Sequence, residues 1–163
     1  MTEVTDQGFE AFFRAEHRKL IAIGAALTGS VEVGQELAQE AFSRAFVRWD
    51  RISGYEQAGA WIRRVVINLA IDTNRRRGNE RVALGRLPQQ HSLIPDDSAS
   101  DEWWTSVRRL PDRQRAAVTL YYVEDMSVEE VARVLDVAVG TVKATLSKAR
   151  AALTSMLREE DPS

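Results

Sequence analysis

Between Val139 and Leu153 the sequence VGTVKATLSKARAAL carries Val142, Leu146, Ala149 and Leu153 on one helical stripe, which leaves Thr141, Lys143, Ala144, Thr145, Ser147, Lys148 and Arg150 on the outer face. With Gly140, these outward residues are small, hydroxylic or basic, and no acidic residue joins them until Glu159. Ammonium and guanidinium groups meet phosphates or guanine edges, hydroxyls meet either, and small residues permit close approach. The chemistry open to this face is therefore non-covalent recognition of a DNA groove, set against the plainer reading of a solvated basic surface on an ordinary three-helix packing.

Covalent and metal chemistry find little to stand on. There is no cysteine, only His17 and His91 offer imidazole, and they lie far apart in sequence. No Ser/His/Asp set, phosphate-cradling glycine loop or HExxH motif occurs. The chain is expected to be no enzyme and to take no metal or cofactor. Lys and Arg number 22 against 24 Asp and Glu, a formal charge of −2, so a case for nucleic acid must rest on local clusters. The N-terminus is acidic and has no basic leader before an apolar segment, and no apolar run reaches membrane-spanning length. A cytoplasmic protein without membrane insertion is expected.

The outer face needs a scaffold, and the preceding residues supply one. Ser127 stands three residues before Glu130, so SVEE reads as a capping box that starts a helix. Val128, Val131, Ala132 and Leu135 form its inner face, and Asp136 is a residue type that tolerates a left-handed turn. Asp136-Val137-Ala138 then joins two short helices in helix-turn-helix geometry, with Ala132 and Ala138 small enough for a steep crossing.

Helical spacing of apolar residues recurs almost everywhere and period-two β-branched runs are missing, so the chain is expected to be all-α. A first helix spans Phe9 to Leu27, turned inward at Phe9, Phe12, Phe13, Leu20, Ile23 and Leu27, and TGS stops it. A second runs from about Val31 to Trp49 on the stripe Val33, Leu37, Ala41, Ala45, Trp49. Asp50 to Gly59 reads as a loop holding an exposed Tyr55. A third helix, Ala60 to about Arg76, is apolar over most of its circumference and is the central buried element, with a narrow polar strip of Arg63, Arg64, Asn68, Asp72 and Arg75. Gly78 to Ser100 loses periodicity and gathers Gly, Pro, Ser and Asp, as a flexible linker does. The expected organisation is thus two small helical domains, 1–77 and 101–163, joined by 78–100. The second domain starts with a short helix over DEWWTSVRRL, with Trp103 and Trp104 as core or a partner-facing seam. Pro111 then suits the first turn of a helix running to about Glu124.

Taken together, ELAQEAFSRAFVRW (Glu36 to Trp49), AWIRRVVINLAIDTNRRR (Ala60 to Arg77), LPDRQRAAVTLYYVEDMSVEEVARVLDV (Leu110 to Val137) and VGTVKATLSKARAAL resemble a bacterial RNA polymerase sigma factor of the sigma-70 family, in its small two-domain extracytoplasmic-function group. The resemblance spans Phe9 to Leu157 apart from the linker. It implies a promoter-specificity subunit that binds core RNA polymerase, recognises two promoter DNA elements and helps melt the upstream edge of the bubble. By the same resemblance Glu36, Gln39, Glu40 and Arg44 contact core polymerase, and 139–153 reads the minus-35 element. Ser53, Tyr55, Trp61, Arg63, Arg64, Asn68, Arg75 and Arg76 capture the minus-10 strand. Physical chemistry is compatible with that last role: Tyr55 offers a stacking face, Asn68 a paired donor and acceptor, and the arginines through Arg77 a basic track. Trp61, in step with Val65 and Leu69, also suits the core, and Arg75 to Arg77 also suit a solvated helix end.

The resemblance further implies an anti-sigma protein as a partner, and a linker, acidic at Asp96, Asp97 and Asp101, that threads toward the polymerase channels. Ala144-Thr145 and Ser147 stand where many relatives have basic or bulkier residues, and Asp136 replaces a commoner turn glycine. No appended module is expected after Leu157, where only REEDPS remains. The competing class is a free-standing helix-turn-helix regulator that binds duplex operators without polymerase, an account in which the Tyr55 loop and the Arg63 to Arg77 helix have no clear purpose.

Overall fold

A computed structural model of the chain describes residues 2–84 and 98–160, with side chains described over 7–78 and 102–159. Every regular element among them is helical. Helices α1 (Thr2–Thr28) and α2 (Val31–Val47) fold back on each other around Gly29, whose φ of +80° is a backbone state glycine adopts without strain. The Gly29 amide donates to the Ala25 carbonyl at 2.8 Å, and the Ser30 hydroxyl caps α2 by accepting from the Val33 amide at 3.3 Å. The two helices meet at glycines: a β-carbon on Gly34 would stand 2.7 Å from the Ala25 nitrogen and the Ile21 oxygen, and one on Gly24 would stand 2.9 Å from the Gly34 Cα. At the other end of the hairpin Phe9, Phe12 and Phe13 pack on Phe42 and Trp49, with Phe9 edge-on to Trp49 at 5.4 Å.

Several boundaries differ from the sequence expectation: α1 begins at Thr2 rather than Phe9, and the helix over DEWWTSVRRL begins at Ser98, within the expected linker. The second helix stops at Val47, and buried Trp49 opens a separate turn, α3 (Trp49–Ile52), so that the loop proper is only Ser53 to Gln57. Ile52, fully buried, anchors that turn and explains why Asp50 to Ile52 are helical. The central helix α4 (Ala58–Leu84) begins earlier and runs eight residues beyond Arg76, into the stretch expected as linker. Its burial is as expected: Ile62, Val66, Ile67 and Ala70 are buried against α1 and α2. Residues 85–97, including His91, Asp96 and Asp97, lie outside the described residues, as does the side chain of Asp101.

The second half comprises α5 (Ser98–Arg108), α6 (Asp112–Val118), α7 (Val128–Leu135) and α8 (Val139–Glu160). Pro111 sits one position before the first turn of α6, as its N-cap. Beyond Val118 the chain widens into a π turn, Thr119–Val123, closed by the Glu124 amide on the Thr119 carbonyl at 3.1 Å. Val107, Leu110, Leu120, Val131, Val142 and Leu146 fill this core. Trp103 and Trp104 are half-buried, edge-to-face at 5.0 Å, and pack against it.

The halves also touch each other. Half-buried Arg115 donates to the Leu27 carbonyl at 3.1 Å, the Leu110 carbonyl at 3.0 Å and the Arg108 carbonyl, tying the C-terminus of α1 to the second half. Burial pushes its pKa below the ordinary arginine value. Asn74 donates to the same Leu27 carbonyl at 2.8 Å. No helix among the described residues is long and apolar enough to cross a membrane.

Candidate nucleic-acid interface

The helix-turn-helix is built as its residue types require. The Ser127 hydroxyl accepts from the Glu130 amide at 3.1 Å while the Glu130 carboxylate accepts from the Ser127 amide at 2.8 Å, a complete capping box. Asp136 ends α7 at φ 57°, ψ 49°, and its short polar side chain makes that left-handed state affordable. Ala132 is buried at the crossing with α8, but Ala138 is exposed, so its small size is not what lets the helices meet. Val134 is buried although it lies off the expected inner face, because α7 packs on α4 as well as on α8.

On α8, Val142, Leu146, Ala149 and Leu153 are buried, which turns Gly140, Thr141, Lys143, Ala144, Ser147, Lys148 and Arg150 to solvent. Thr145 is half-buried and its hydroxyl donates to the Thr141 carbonyl at 2.8 Å, so it is engaged by its own helix. A β-carbon on Gly140 would meet nothing within 4 Å. Arg150 reaches back to Tyr122, whose hydroxyl accepts from its Nε at 2.7 Å. That hydrogen bond raises the Arg150 pKa above its ordinary value.

In the first half an open groove of about 530 Å³ between α2 and α4 is lined by Arg44, Arg48, Trp61, Arg64 and Asn68. It brings three of the expected minus-10 residues together with Arg44, expected as a core-polymerase contact, and with Arg48, which no stripe or motif singled out. Tyr55 is 42% exposed on its loop. Ser53 caps the preceding turn, its hydroxyl donating to the Asp50 carbonyl at 3.4 Å, and Arg75 and Arg76 are exposed on α4. Arg63 is otherwise engaged: its Nε and a terminal nitrogen donate to the two Glu16 oxygens at 3.1 and 3.2 Å, with the side chains 17% and 10% exposed. A free strand-tracking guanidinium is therefore not what Arg63 presents. Arg64 donates to the Val134 carbonyl at 2.9 Å and the Arg133 carbonyl at 2.6 Å, at the end of α7.

Glu36, Gln39, Glu40 and Arg44 share the exposed side of α2, with Arg44 paired to Glu40 at 3.0 Å. Beside them runs a groove of about 690 Å³ lined by Phe9, Phe13, Ile21, Phe42, Phe46 and Val47. Phe46 and Val47, 59% and 83% exposed, fall off the apolar stripe of α2, and large apolar side chains off the stripe are the signal that the sequence holds for this groove.

Two helical units, the second a helix-turn-helix whose last helix presents no acidic residue before Glu159, define a DNA-binding protein. Residues 12–80 match the family model for sigma-70 region 2 and residues 100–153 that for sigma-70 region 4. The chain is 33% identical over 159 residues to the RNA polymerase sigma-E factor of Streptomyces coelicolor, covering 94% of this chain and 88% of that one. It is 28% identical over 149 residues to the ECF RNA polymerase sigma factor SigW of Bacillus subtilis, covering 82% and 80%. Its fold matches, at a TM-score of 0.76 and 22% identity over 92% of this chain and 96% of that one, the sigma factor RpoE from Bartonella quintana, solved in complex with the anti-sigma factor NepR. The chain belongs to the sigma-70 family of RNA polymerase sigma factors, in the extracytoplasmic-function group. Its partners are core RNA polymerase and promoter DNA, and its role is to direct the polymerase to promoters and help open them; the free-standing regulator is not favoured.

Proposed function

We propose that the two halves divide the promoter between them in the cytoplasm. Residues 1–77 bind core polymerase and the minus-10 element, residues 78–100 connect, and residues 101–163 read the minus-35 element. On α8 the residues that meet the minus-35 DNA are Thr141, Lys143, Ala144, Ser147, Lys148 and Arg150, with Thr145 fixing the helix from within. On the first half, Trp61, Arg64 and Asn68 form the strand-capturing groove, with Tyr55 and Ser53 on the adjoining loop and Arg75 and Arg76 along the backbone track. Glu36, Gln39, Glu40 and Arg44, with the apolar groove beside them, form the polymerase-facing side of α2.

The observation that carries this reading is the convergence of Trp61, Asn68, Arg48 and Arg64 on one open groove, Arg64 being bonded to the end of α7 as well and Arg44 at the rim being paired to Glu40. A stacking face, an amide with donor and acceptor, and fixed positive charge are the elements that hold an unpaired nucleotide, and stacking alone contributes about 1–3 kcal/mol per base. A duplex-only regulator has no use for that combination. The test is run-off transcription by bacterial core polymerase on a pooled promoter library, with and without the protein. New start sites sharing two spaced elements are expected. Starts that share no upstream element, or none at all, would overturn the division of labour.

A further inference from the structure

The π turn that ends α6 carries two adjacent tyrosines to the recognition helix. Tyr121 and Tyr122 stand edge-to-face at 4.9 Å, and the Arg150 guanidinium carbon lies 5.8 Å from each ring centroid. Tyr122 is 47% exposed, and Arg150 is exposed with no carboxylate of the described residues paired to it. An exposed arginine usually samples many rotamers, but here two rings and one hydrogen bond hold it. The bond is made through Nε, and the terminal nitrogens, with four N–H donors in a planar fork, hydrogen-bond to nothing among the described residues. Such a fork matches a phosphate's oxygens.

We infer that Tyr122 is a positioning residue that aims Arg150 at a DNA phosphate beside the minus-35 element, so that the π turn is part of the DNA-binding surface. This rests on the proposed reading of α8. A phosphate is the target because base edges are read from the first turns of a recognition helix, whereas Arg150 lies three turns beyond Val139. Only the Tyr122 hydroxyl, not its ring alone, accounts for which Arg150 nitrogens remain free.

The experiment measures holoenzyme, assembled from the full chain and core polymerase, on a labelled promoter fragment recovered from the run-off selection, across a series of potassium chloride concentrations. The variants are Tyr122→Phe, Arg150→Gln, the double variant and Lys148→Glu. Arg150→Gln is expected to weaken binding and to lower the salt slope by roughly 0.9, the loss of one phosphate contact, without changing sequence preference. Tyr122→Phe keeps the ring and should weaken binding roughly two- to tenfold, but have no further effect when Arg150 is already Gln. A Tyr122→Phe effect that persists in the Arg150→Gln background overturns the positioning role. If Lys148→Glu weakens binding while Tyr122→Phe and Arg150→Gln do not, the inference falls and the reading of α8 stands. If none of the three has an effect, both fall. Should Tyr122→Phe unfold the second half, Arg150→Lys, which keeps the charge but loses the fork that Tyr122 holds, takes its place: binding equal to that of the unsubstituted chain would overturn the positioning role.

Discussion

Arg64, on the central helix of the first half, donates from Nε to the carbonyl of Val134, on the first helix of the helix-turn-helix, at 2.9 Å, across 70 residues of sequence. A second donation to the Arg133 carbonyl places the guanidinium on the C-terminal end of α7, where unpaired carbonyls and the negative end of the helix dipole favour a cation. The same residue lines the groove between α2 and α4. Two of the guanidinium's five N–H donors are committed to α7, so strand capture through Arg64 competes with the contact between the halves.

Arg64→Gln should therefore loosen the free protein. Loss of hydrogen bonds from a charged donor costs about 1.5–3 kcal/mol, and the freed carbonyls must find water. The expected outcome is a lower melting temperature and a larger radius of gyration by small-angle scattering. An unchanged radius would mean that the Arg115 and Asn74 contacts on Leu27 suffice to keep the halves together.

Gly34→Ala should destabilise the first half without touching any DNA-facing residue. The added methyl would stand 2.7 Å from backbone atoms of α1, which cannot swing aside as a side chain would. Forced separation of packed helices costs about 1–3 kcal/mol. The urea midpoint should fall, while alanine at Gly78, inside α4 where a β-carbon meets nothing within 4 Å, should raise it slightly.

Glu124 gives a pH test of the contact between halves. Burial raises its pKa; Arg63 and Lys19 pull it down and Glu16 pushes it up, all three from the first half. Because the folded state binds this proton more tightly than the unfolded chain, the contribution to stability is full below the ordinary glutamate value of about 4.3 and is lost as pH rises through the higher folded value. Its charge is thus a net cost at neutral pH. Glu124→Gln should raise the melting temperature at pH 7, and the gain over wild type should disappear in acid. A gain independent of pH would exclude the ionisation as its cause.

What the sequence made legible was local. The Ser127–Glu130 capping box, the left-handed Asp136 and the inner stripe of α8 each follow from residues within one or two turns of each other, and each is present as read. The contacts that escaped were those between distant elements. Periodicity assigns α7 one inner face and cannot announce a second, and Val134 is buried because α7 packs on α4 as well. Arg63 and Arg64 read as a free basic track because nothing nearby in sequence shows that Glu16 and the end of α7 receive them. The Gly24–Gly34 crossing and the π turn under Arg150 were hidden for the same reason, since each depends on an element outside its own stretch.

Gly140 separates folding from recognition most cleanly. It lies in the first turn of α8, where glycine is a poor helix former, and no protein atom comes within 4 Å of the β-carbon it lacks. Packing inside the chain therefore does not require it, and Gly140→Ala should stabilise the domain by up to about 1 kcal/mol. The outward methyl would instead stand where a DNA backbone approaches if α8 enters the groove by its N-terminal turns. The expected pair of results is a raised melting temperature and weakened minus-35 recognition. Lys148→Glu, on the same exposed face, should show the second effect without the first, leaving core-polymerase binding intact. Stronger stability with unaltered promoter binding for Gly140→Ala would move the DNA contact away from the start of α8, toward Lys148 and Arg150.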